Sequence, residues 1–436
     1  MIRRRSAGVT YTVRGHTLHQ VSRGHAEAYD RLMEDGLYDA LTAEGDMVSH
    51  VERGLKYALT DDAYRVIQAK PVTETTYPYE WSFSGWRQAA LHVLDVAEMA
   101  LDAGMMLQDA SVYSVQLEGG RPVWTDALAF SVYEAGMPWP AYQQFVGQYL
   151  GPLALMANVD ASLGGLLLLH PAGLPPALAS ALLPARTRIN FGLAAHIHQN
   201  TRAAKMQPME QRELVRLFDD LRETLNSLSW EPQTAAPTAP ADVPAKQRLL
   251  RDYFGMVQTD RVWDLHAGAG AFSRLAAGEY GAATLAFNPT PDATEHLWRE
   301  LATEDDAPAH LLPLTVDWMN PTPGTGWANR EQRSIAARGT PDMLLAFDWV
   351  HRLALGEGVR LTAVAAALSQ LAPHLVIEFV PRNDPQSIAM LERDSDAHDE
   401  YTQDAFEAAF GGYYDVMRAD DVPDSRRRLY LMKVRG

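Results

Sequence analysis

The chain contains no cysteine among its 436 residues. Disulfide bonds, thiolate metal sites and cysteine nucleophiles are therefore excluded. Long apolar runs are also missing, because the most apolar stretch, residues 162–174, is too short and too interrupted to span a bilayer. The basic N-terminus lacks the apolar segment of a secretory signal. We therefore expect a cytoplasmic protein without a membrane partner.

Positive charge is scarce, since 38 Lys and Arg residues stand against 55 Asp and Glu residues and give a formal net charge of −17. An acidic surface repels phosphate backbones, so no nucleic-acid partner is expected. The arginine triplets at 3–5 and 426–428 are short, and we interpret them as solvated surface charge. His196 and His198 lie close together without a visible third ligand, so we predict no metal site.

The composition predicts more than one domain. Hydrophobic residues make up 47% of the chain, which is enough for two or three cores. Residues 232–245 consist largely of Pro and Ala and cannot pack a core. We therefore predict an N-terminal domain over 1–230, a linker over 231–246 and a C-terminal domain over 247–436.

The C-terminal domain alternates apolar runs of buried-strand length with helical patterns. Five such runs joined by helices predict a parallel sheet with right-handed crossovers. Two final strand-like segments are separated by a short loop, so they predict a hairpin. The expected α/β sheet thus has seven strands, the last one reversed. The predicted strands are 261–265, 282–287, 311–316, 342–347, 374–380, 413–419 and 427–434.

A turn rich in small residues follows the first of these strands, in the sequence VWDLHAGAG over residues 262–270. Gly268 and Gly270 lack a Cβ, so the backbone there can come very close to a ligand. The helix behind the turn presents free N–H groups and the positive end of its dipole. This order of strand, turn and helix predicts a nucleotide-like ligand at the carboxyl end of the strand.

Polar side chains also follow the next two strands. Asn288 comes after the second strand, and Asp317 with Trp318 comes after the third. Because parallel strands end at one edge of a sheet, we expect these side chains to converge with Asp264, at the end of the first strand. Ordinary alternatives stay open: Asp264 can cap the following helix, Asn288 can mark a turn before proline, and Asp317 can be a loop carboxylate.

On these motifs, residues 246–436 resemble the class I S-adenosylmethionine (SAM) dependent methyltransferases, a family with a Rossmann-like sheet. The resemblance implies that SAM is the cofactor and that the glycine turn passes beneath its methionine and ribose parts. It implies that Asp264 supports the turn or receives the amino group through water, that Asn288 takes the place of the usual ribose-binding acid, and that Asp317 accepts from the adenine amino group. The implied cofactor-binding residues are Asp264, His266, Ala267, Gly268, Gly270, Asn288, Asp317 and Trp318.

The methyl acceptor is expected over the ends of the fourth and fifth strands. His351 is the preferred general base because its free pKa lies near neutrality, and the alternative is a surface imidazole at a helix start. Glu378 is the second candidate, as a base or as a clamp on an acceptor amine. It lies inside an apolar run, where an unpaired carboxylate is costly, so a functional or paired role is favoured. The charged segment 320–342 is either a lid over the acceptor or surface decoration.

Four segments of this half resemble a narrower bacterial group, the large methyltransferases related to nodulation proteins. These segments are GWANREQRS, AFDWVHRL, LVIEFVPRNDP and SRRRLYLM. This resemblance supports the fold and the cofactor but does not assign the acceptor. Our prediction is methyl transfer to a small or carrier-borne metabolite, with the acceptor atom and the oligomeric state left open. The competing hypothesis is a SAM-binding scaffold with altered catalysis.

The N-terminal half predicts a mainly helical α+β domain. Residues 84–104 have the pattern of an amphipathic helix, and a Gly-Gly hairpin follows before Asp126. The stretch 84–130 faintly resembles protein-kinase-like phosphotransferases, in which Asp109 and Asp126 would match the catalytic and metal-holding aspartates. Ser114 stands where that family has a metal-binding Asn. A helical recognition domain and, less favoured, a phosphotransferase stay open as alternatives.

Overall fold

The structure is a computed structural model that describes residues 2–4, 7–13, 16–200, 208–391 and 400–436. The chain divides into two compact units. Unit 1 comprises Met1–Glu231 with Gly324–Arg333, and unit 2 comprises Pro232–Pro323 with Ser334–Gly436. In these described ranges, no helix is both long and apolar enough to cross a membrane.

Unit 1 begins with an antiparallel sheet that two helices interrupt in sequence. Its elements are β1 (Ile2–Arg4), β2 (Gly8–Val13), β3 (His16–Ser22), α1 (Ala26–Glu34), α2 (Leu37–Ala43), β4 (His50–Arg53) and β5 (Ala63–Ala69). Among the described residues the sheet has five strands, in the order β1-β2-β3-β5-β4. This part of unit 1 thus combines an antiparallel sheet with two helices, and the predicted α+β class of the N-terminal domain stays a prediction.

The rest of unit 1 is built on the predicted amphipathic helix, which is present as α3 (Phe83–Asp102). Ser82 caps it by accepting from the Gly85 N–H at 3.0 Å. The predicted Gly-Gly hairpin is also present, between β7 and β8. The remaining elements are β6 (Met105–Leu107), β7 (Val115–Glu118), β8 (Arg121–Trp124), β9 (Phe130–Val132), α4 (Tyr142–Phe145), α5 (Gly151–Asn158), α6 (Pro176–Leu182), α7 (Phe191–Leu193) and α8 (Gln211–Ser227).

The two aspartates of the kinase-like hypothesis follow β6 and β8. Asp109 Oδ1 accepts from the side-chain amide of Gln144 at 2.8 Å and from the Ser111 N–H at 3.1 Å. Asp126 is 8% exposed and accepts from the Leu128 N–H at 3.0 Å. Both carboxylates thus hold local backbone in place, and the kinase-like role stays a prediction.

Unit 2 contains a mixed sheet with helices in its crossovers. Its strands are β10 (Arg261–Asp264), β11 (Ala283–Asn288), β12 (Leu311–Thr315), β13 (Met343–Ala346), β14 (His374–Phe379), β15 (Tyr414–Asp421) and β16 (Arg428–Val434). Its helices are α9 (Val243–Phe254), α10 (Ala271–Tyr280), α11 (Pro291–Thr303), α12 (Ile335–Arg338), α13 (Leu361–Ser369), α14 (Pro385–Leu391) and α15 (Gln403–Gly411).

The sheet of unit 2 confirms the prediction of a mixed seven-stranded sheet. Its order within the described residues is β12-β11-β10-β13-β14-β16-β15. The five strands β10 to β14 pair in parallel, whereas β16 is antiparallel to both neighbours. All four residues of β13 are buried, as expected for a strand covered on both faces. Because β10 to β14 run the same way, their carboxyl ends meet at one edge.

One part of the predicted C-terminal domain groups with unit 1 instead. The segment Gly324–Arg333 is closed by a bridge between Thr325 and Gln332, and the Arg333 N–H donates to the Tyr77 hydroxyl at 2.8 Å. This segment therefore belongs to unit 1, and the domain bounds 1–230, 231–246 and 247–436 stay a prediction.

Candidate functional site

The glycine turn after β10 brings backbone to the carboxyl edge of the sheet. Gly268 and Gly270 have φ angles of +55° and +77°, in the left-handed region that favours glycine. A Cβ on Gly270 would lie 2.8 Å from Leu297 Cδ1, so this position also has no room for a side chain. Helix α10 starts directly behind it at Ala271.

Asp264 supports this turn through hydrogen bonds of its buried side chain. Its side chain is fully buried, accepts the Ser273 hydroxyl at 2.6 Å and lies 3.4 Å from the donating N–H of His266. Burial raises the pKa of Asp264 to about 6, against the opposing effect of these hydrogen bonds. Asp264 thus holds the turn and the start of α10 together, and its predicted water-mediated contact with an amino group stays a prediction.

Asn288 is bound to the same turn. Its Oδ1 accepts from the Gly268 N–H at 2.9 Å, its Nδ2 donates to the Gly268 carbonyl at 3.4 Å, and its side chain is 1% exposed. The N–H of Ala267 donates to Phe287 at 2.9 Å and ties the turn to β11 as well. Asn288 thus supports the turn, and its contact with a ribose stays a prediction.

Two cavities lie at this edge, and the larger one, of about 400 Å³, lies over the ends of β10, β11 and β12. Asp317 is exposed in its wall, and its carboxylate accepts from the Met319 N–H at 2.9 Å. Trp318 packs edge-on against Trp349, with 6.4 Å between ring centroids. The wall includes His266, Asp317, Trp318, Trp349, Arg352 and Leu353.

A smaller cavity of about 230 Å³ lies against the glycine turn. Two of its wall residues, His266 and Arg352, also line the larger cavity, so the two cavities adjoin. Burial, with the nearby Arg352 guanidinium, lowers the pKa of His266 to about 4, so this imidazole is neutral at pH 7. The wall of this smaller cavity includes Lys246, His266, Gly268, Phe347, Asp348 and Arg352.

Part of the predicted linker, residues 237–240, lines the smaller cavity. The linker is fixed upstream, where the Thr234 N–H donates to Asp292 at 3.0 Å and the Thr234 carbonyl lies 2.9 Å from His296 Nε2. Downstream, α9 already begins at Val243. Residues 237–240 of the predicted linker therefore form part of a cavity wall, whereas the linker bounds 231–246 stay a prediction.

No protein-family model matches the chain. A curated protein does: the nodulation protein NoeA of Rhizobium meliloti (strain 1021) is 30% identical over 419 residues, which cover 90% of this chain and 87% of that protein. The chain belongs to the NoeA family. Its predicted place among proteins related to nodulation proteins is thereby confirmed.

Two solved structures similar to this NoeA-family chain each cover less than half of it. The magnesium protoporphyrin IX methyltransferase ChlM from Synechocystis PCC 6803 with bound SAM is 15% identical to this chain. The match covers 44% of this chain and 78% of the ChlM chain, with a TM-score of 0.32. WbdD is 16% identical to this chain, and the match covers 48% of this chain and 46% of the WbdD chain, with a TM-score of 0.32. At these values neither likeness decides the function.

The two predicted catalytic residues of the NoeA-family chain do not reach either cavity wall. His351 is fully buried, and its Nε2 lies 3.1 Å from Gln386 Oε1. Burial lowers the pKa of His351 to about 4. Glu378 is also fully buried and pairs with Lys246 at 2.6 Å. The paired role predicted for Glu378 is present, whereas direct contact with an acceptor stays a prediction for both residues.

Sequence reasoning missed the charged residues around Glu378. Arg427 is 7% exposed and pairs with Asp384 at 2.8 Å and with Glu378 at 3.3 Å, so its interpretation as solvated surface charge was wrong. Lys246 is 1% exposed and pairs with Asp242 at 2.9 Å. A signal was present in the sequence, because Glu378 within an apolar run needs a buried cation.

Proposed function

We propose that this NoeA-family protein is a class I SAM-dependent methyltransferase that acts in the cytoplasm on a small or carrier-borne metabolite. One observation carries the proposal. Two adjoining cavities lie at the carboxyl edge of a seven-stranded sheet with a reversed last strand, and one of them is lined by a glycine turn. Ligands of open α/β sheets bind at this edge.

The residues of the two cavities fit the chemistry of SAM. The volumes of about 400 and 230 Å³ together suit a small-molecule site, which spans roughly 300–1,000 Å³. The larger cavity offers the indoles of Trp318 and Trp349 to an adenine ring and the carboxylate of Asp317 to its amino group. In the smaller cavity, an added Cβ on Gly268 would have no atom closer than Pro237 Cβ at 3.9 Å, so glycine leaves open space beside the backbone.

When bound, SAM supplies a methyl group on a sulfonium that a nucleophile displaces in line. The work of the chain is to bind the cofactor, exclude water and align the acceptor. A general base is needed only where the acceptor carries a proton at the moment of attack. The burial of His351 and Glu378 therefore leaves methyl transfer possible to an acceptor that is already deprotonated.

Titration calorimetry with SAM and S-adenosylhomocysteine tests the cofactor site. We expect both to bind the full chain, and Gly268→Leu to weaken binding at least about tenfold, or 1.4 kcal/mol. Gly281→Leu is the matched control, because Gly281 has a similar φ of +66°, an open environment and no place in either cavity wall. If neither compound binds the natural chain, the proposed function is overturned.

A SAM-binding scaffold is the second candidate, favoured by the absence of His351 and Glu378 from both cavity walls. Incubation with SAM carrying a tritiated methyl group and a bacterial small-molecule extract separates the two candidates. Transfer of the label above that of the Gly268→Leu variant supports the methyltransferase. Binding of SAM without any transfer favours the scaffold.

A further inference from the structure

Arg352 occupies the boundary between the two cavities. It opens the π-helical turn Arg352–Gly356 behind β13, and its side chain is 39% exposed. Turns of this kind are rare and occur frequently at functional sites. Because Arg352 lines both cavities, its guanidinium can meet a ligand that extends from one to the other.

The donors of Arg352 are only partly used by the protein. Its Nε donates to the Asp348 carbonyl at 2.8 Å, and its Nη2 donates to Asp348 Oδ2 at 2.6 Å. Its Nη1 has no hydrogen-bond partner among the residues that the structure describes. A guanidinium carries five N–H donors in a planar fork, which suits a second carboxylate.

Asp348 is the anion beside it and also lines the smaller cavity. Its side chain is 18% exposed, and its Oδ1 lies 3.2 Å from Arg427 Nη1. Each carboxylate oxygen thus accepts one guanidinium and keeps a lone pair for a further donor. The φ of Asp348 is +51°, a conformation that costs energy in a residue other than glycine and that tends to occur at functional sites.

The surroundings hold Asp348 in that conformation. Its N–H donates to Glu378 Oε2 at 2.8 Å, and Glu378 is itself fixed by Lys246. Lys246 also lines the smaller cavity, but its ammonium pairs with Glu378 and Asp242. Lys246 is 1% exposed, whereas the Arg352 side chain is 39% exposed, so Arg352 is the more accessible of these two cations in the wall.

We propose that Arg352 and Asp348 bind the amino-acid group of SAM, the guanidinium taking its carboxylate and the Asp348 carboxylate taking its ammonium. This inference rests on the proposed function. A cation and an anion side by side match the two charges of an α-amino acid, and opposite charges in a partly buried wall attract more strongly than in water. The nucleoside then belongs to the larger cavity, on the other side of the neutral His266.

An ordinary ion pair between residues four apart in sequence is the competing explanation of this contact. Such a pair would contribute little and would be indifferent to the ligand. It would not explain why the pair lies in a cavity wall with one guanidinium nitrogen unused. The two explanations differ in one measurable property, which is the dependence of ligand affinity on the ligand's amino-acid group.

Titration calorimetry with two ligands measures that property. S-adenosylhomocysteine has the amino-acid group, whereas 5′-deoxy-5′-methylthioadenosine has the same nucleoside and thioether without it. We expect Arg352→Gln to weaken binding of the first at least about tenfold and of the second less than about twofold. Arg360→Gln is the matched control, because Arg360 is exposed and lines neither cavity, and it should change neither affinity.

The outcomes separate the proposed binding of the amino-acid group by Arg352 and Asp348, which we call the clamp, from the proposed function. If Arg352→Gln weakens both ligands equally, or neither, the clamp is overturned while the cofactor site stands. If the natural chain binds neither ligand, the proposed function fails instead. Arg352→Lys covers the case in which Arg352→Gln does not fold: it keeps the charge but loses the fork. It should weaken S-adenosylhomocysteine alone, and equal weakening of both ligands would again overturn the clamp.

Discussion

Lys246 and Glu378 form an ion pair that is almost completely withdrawn from solvent. Their Nζ and Oε1 atoms are 2.6 Å apart, with side chains 1% and 0% exposed. Lys246 belongs to α9, directly behind the linker residues that line the smaller cavity, and Glu378 belongs to β14. The pair therefore fastens the linker end to the sheet edge at which the proposed cofactor binds.

Lys246→Met should destabilise unit 2 strongly, because it leaves the Glu378 carboxylate buried without its nearest cation. Removal of one partner of a buried pair costs about 3–5 kcal/mol. The double variant Lys246→Met/Glu378→Met should lose clearly less than the sum of the two single variants. Urea unfolding of the full chain, followed by tryptophan fluorescence, measures the three free energies.

The exposed pair of Arg251 and Glu279 is the control for this experiment. It has the same 2.6 Å separation and shares α9, but its side chains are 40% and 47% exposed. Arg251→Met should therefore cost less than about 1 kcal/mol. Strict additivity of the Lys246 and Glu378 substitutions would contradict a coupled buried pair.

Asn288→Ala should lower stability even without any cofactor. The substitution removes the acceptor of the Gly268 N–H and leaves that donor unpaired, which costs about 1–3 kcal/mol. Asn288→Asp keeps the acceptor but loses the donor to the Gly268 carbonyl, so we expect an intermediate effect. Urea unfolding of the ligand-free variants is the measurement. Unchanged stability with weaker S-adenosylhomocysteine binding would instead assign Asn288 to the ligand.

The strands of unit 2 could be predicted because parallel strands that are covered on both faces consist of nearly continuous apolar residues. Met343–Ala346 is such a run, and all its residues are buried. The short loop before β16 indicated the hairpin and hence the reversed last strand. The positions of Asp264, Asn288 and Asp317 at strand ends followed from the same pattern, since strand ends define the edge of the sheet.

The directions of side chains could not be predicted from that pattern. Strand position placed Asn288 at the right edge, but whether its amide turns to a ligand or to Gly268 depends on the conformation of the turn. The burial of Lys246 and Arg427 likewise depends on Glu378, which is distant in sequence from Lys246. An arginine triplet is typical of surface charge, and only the fold brings one of its members to a buried carboxylate.

Asp264 should make stability depend on pH in a specific window. Its folded pKa is about 6, above the usual 3.8, so its contribution is fully present below pH 4 and is lost as the pH rises to 6. The stability of the natural chain relative to Asp264→Asn should therefore fall across that window by about 3 kcal/mol. Urea unfolding of both ligand-free proteins at a series of pH values measures the difference. A constant difference would mean that the carboxyl titrates at its usual pKa.

His351 should show the opposite pH dependence. Its folded pKa is about 4, below the usual 6.5, because burial disfavours the charged imidazole. The stability that it contributes is present above pH 6.5 and is lost as the pH falls towards 4, by about 3 kcal/mol. The natural chain should therefore lose more stability than His351→Gln between pH 6.5 and 4, when each is compared with its own value at pH 7.5.

Urea unfolding of these two proteins at matched pH values decides whether His351 is withdrawn from solvent. Parallel curves would mean that the imidazole titrates as freely in the folded chain as in the unfolded one. Free titration requires access to water, and an accessible imidazole near the end of β13 could take a proton from an acceptor. That result would restore His351 as a general base, whereas diverging curves confine it to the interior beside Gln386.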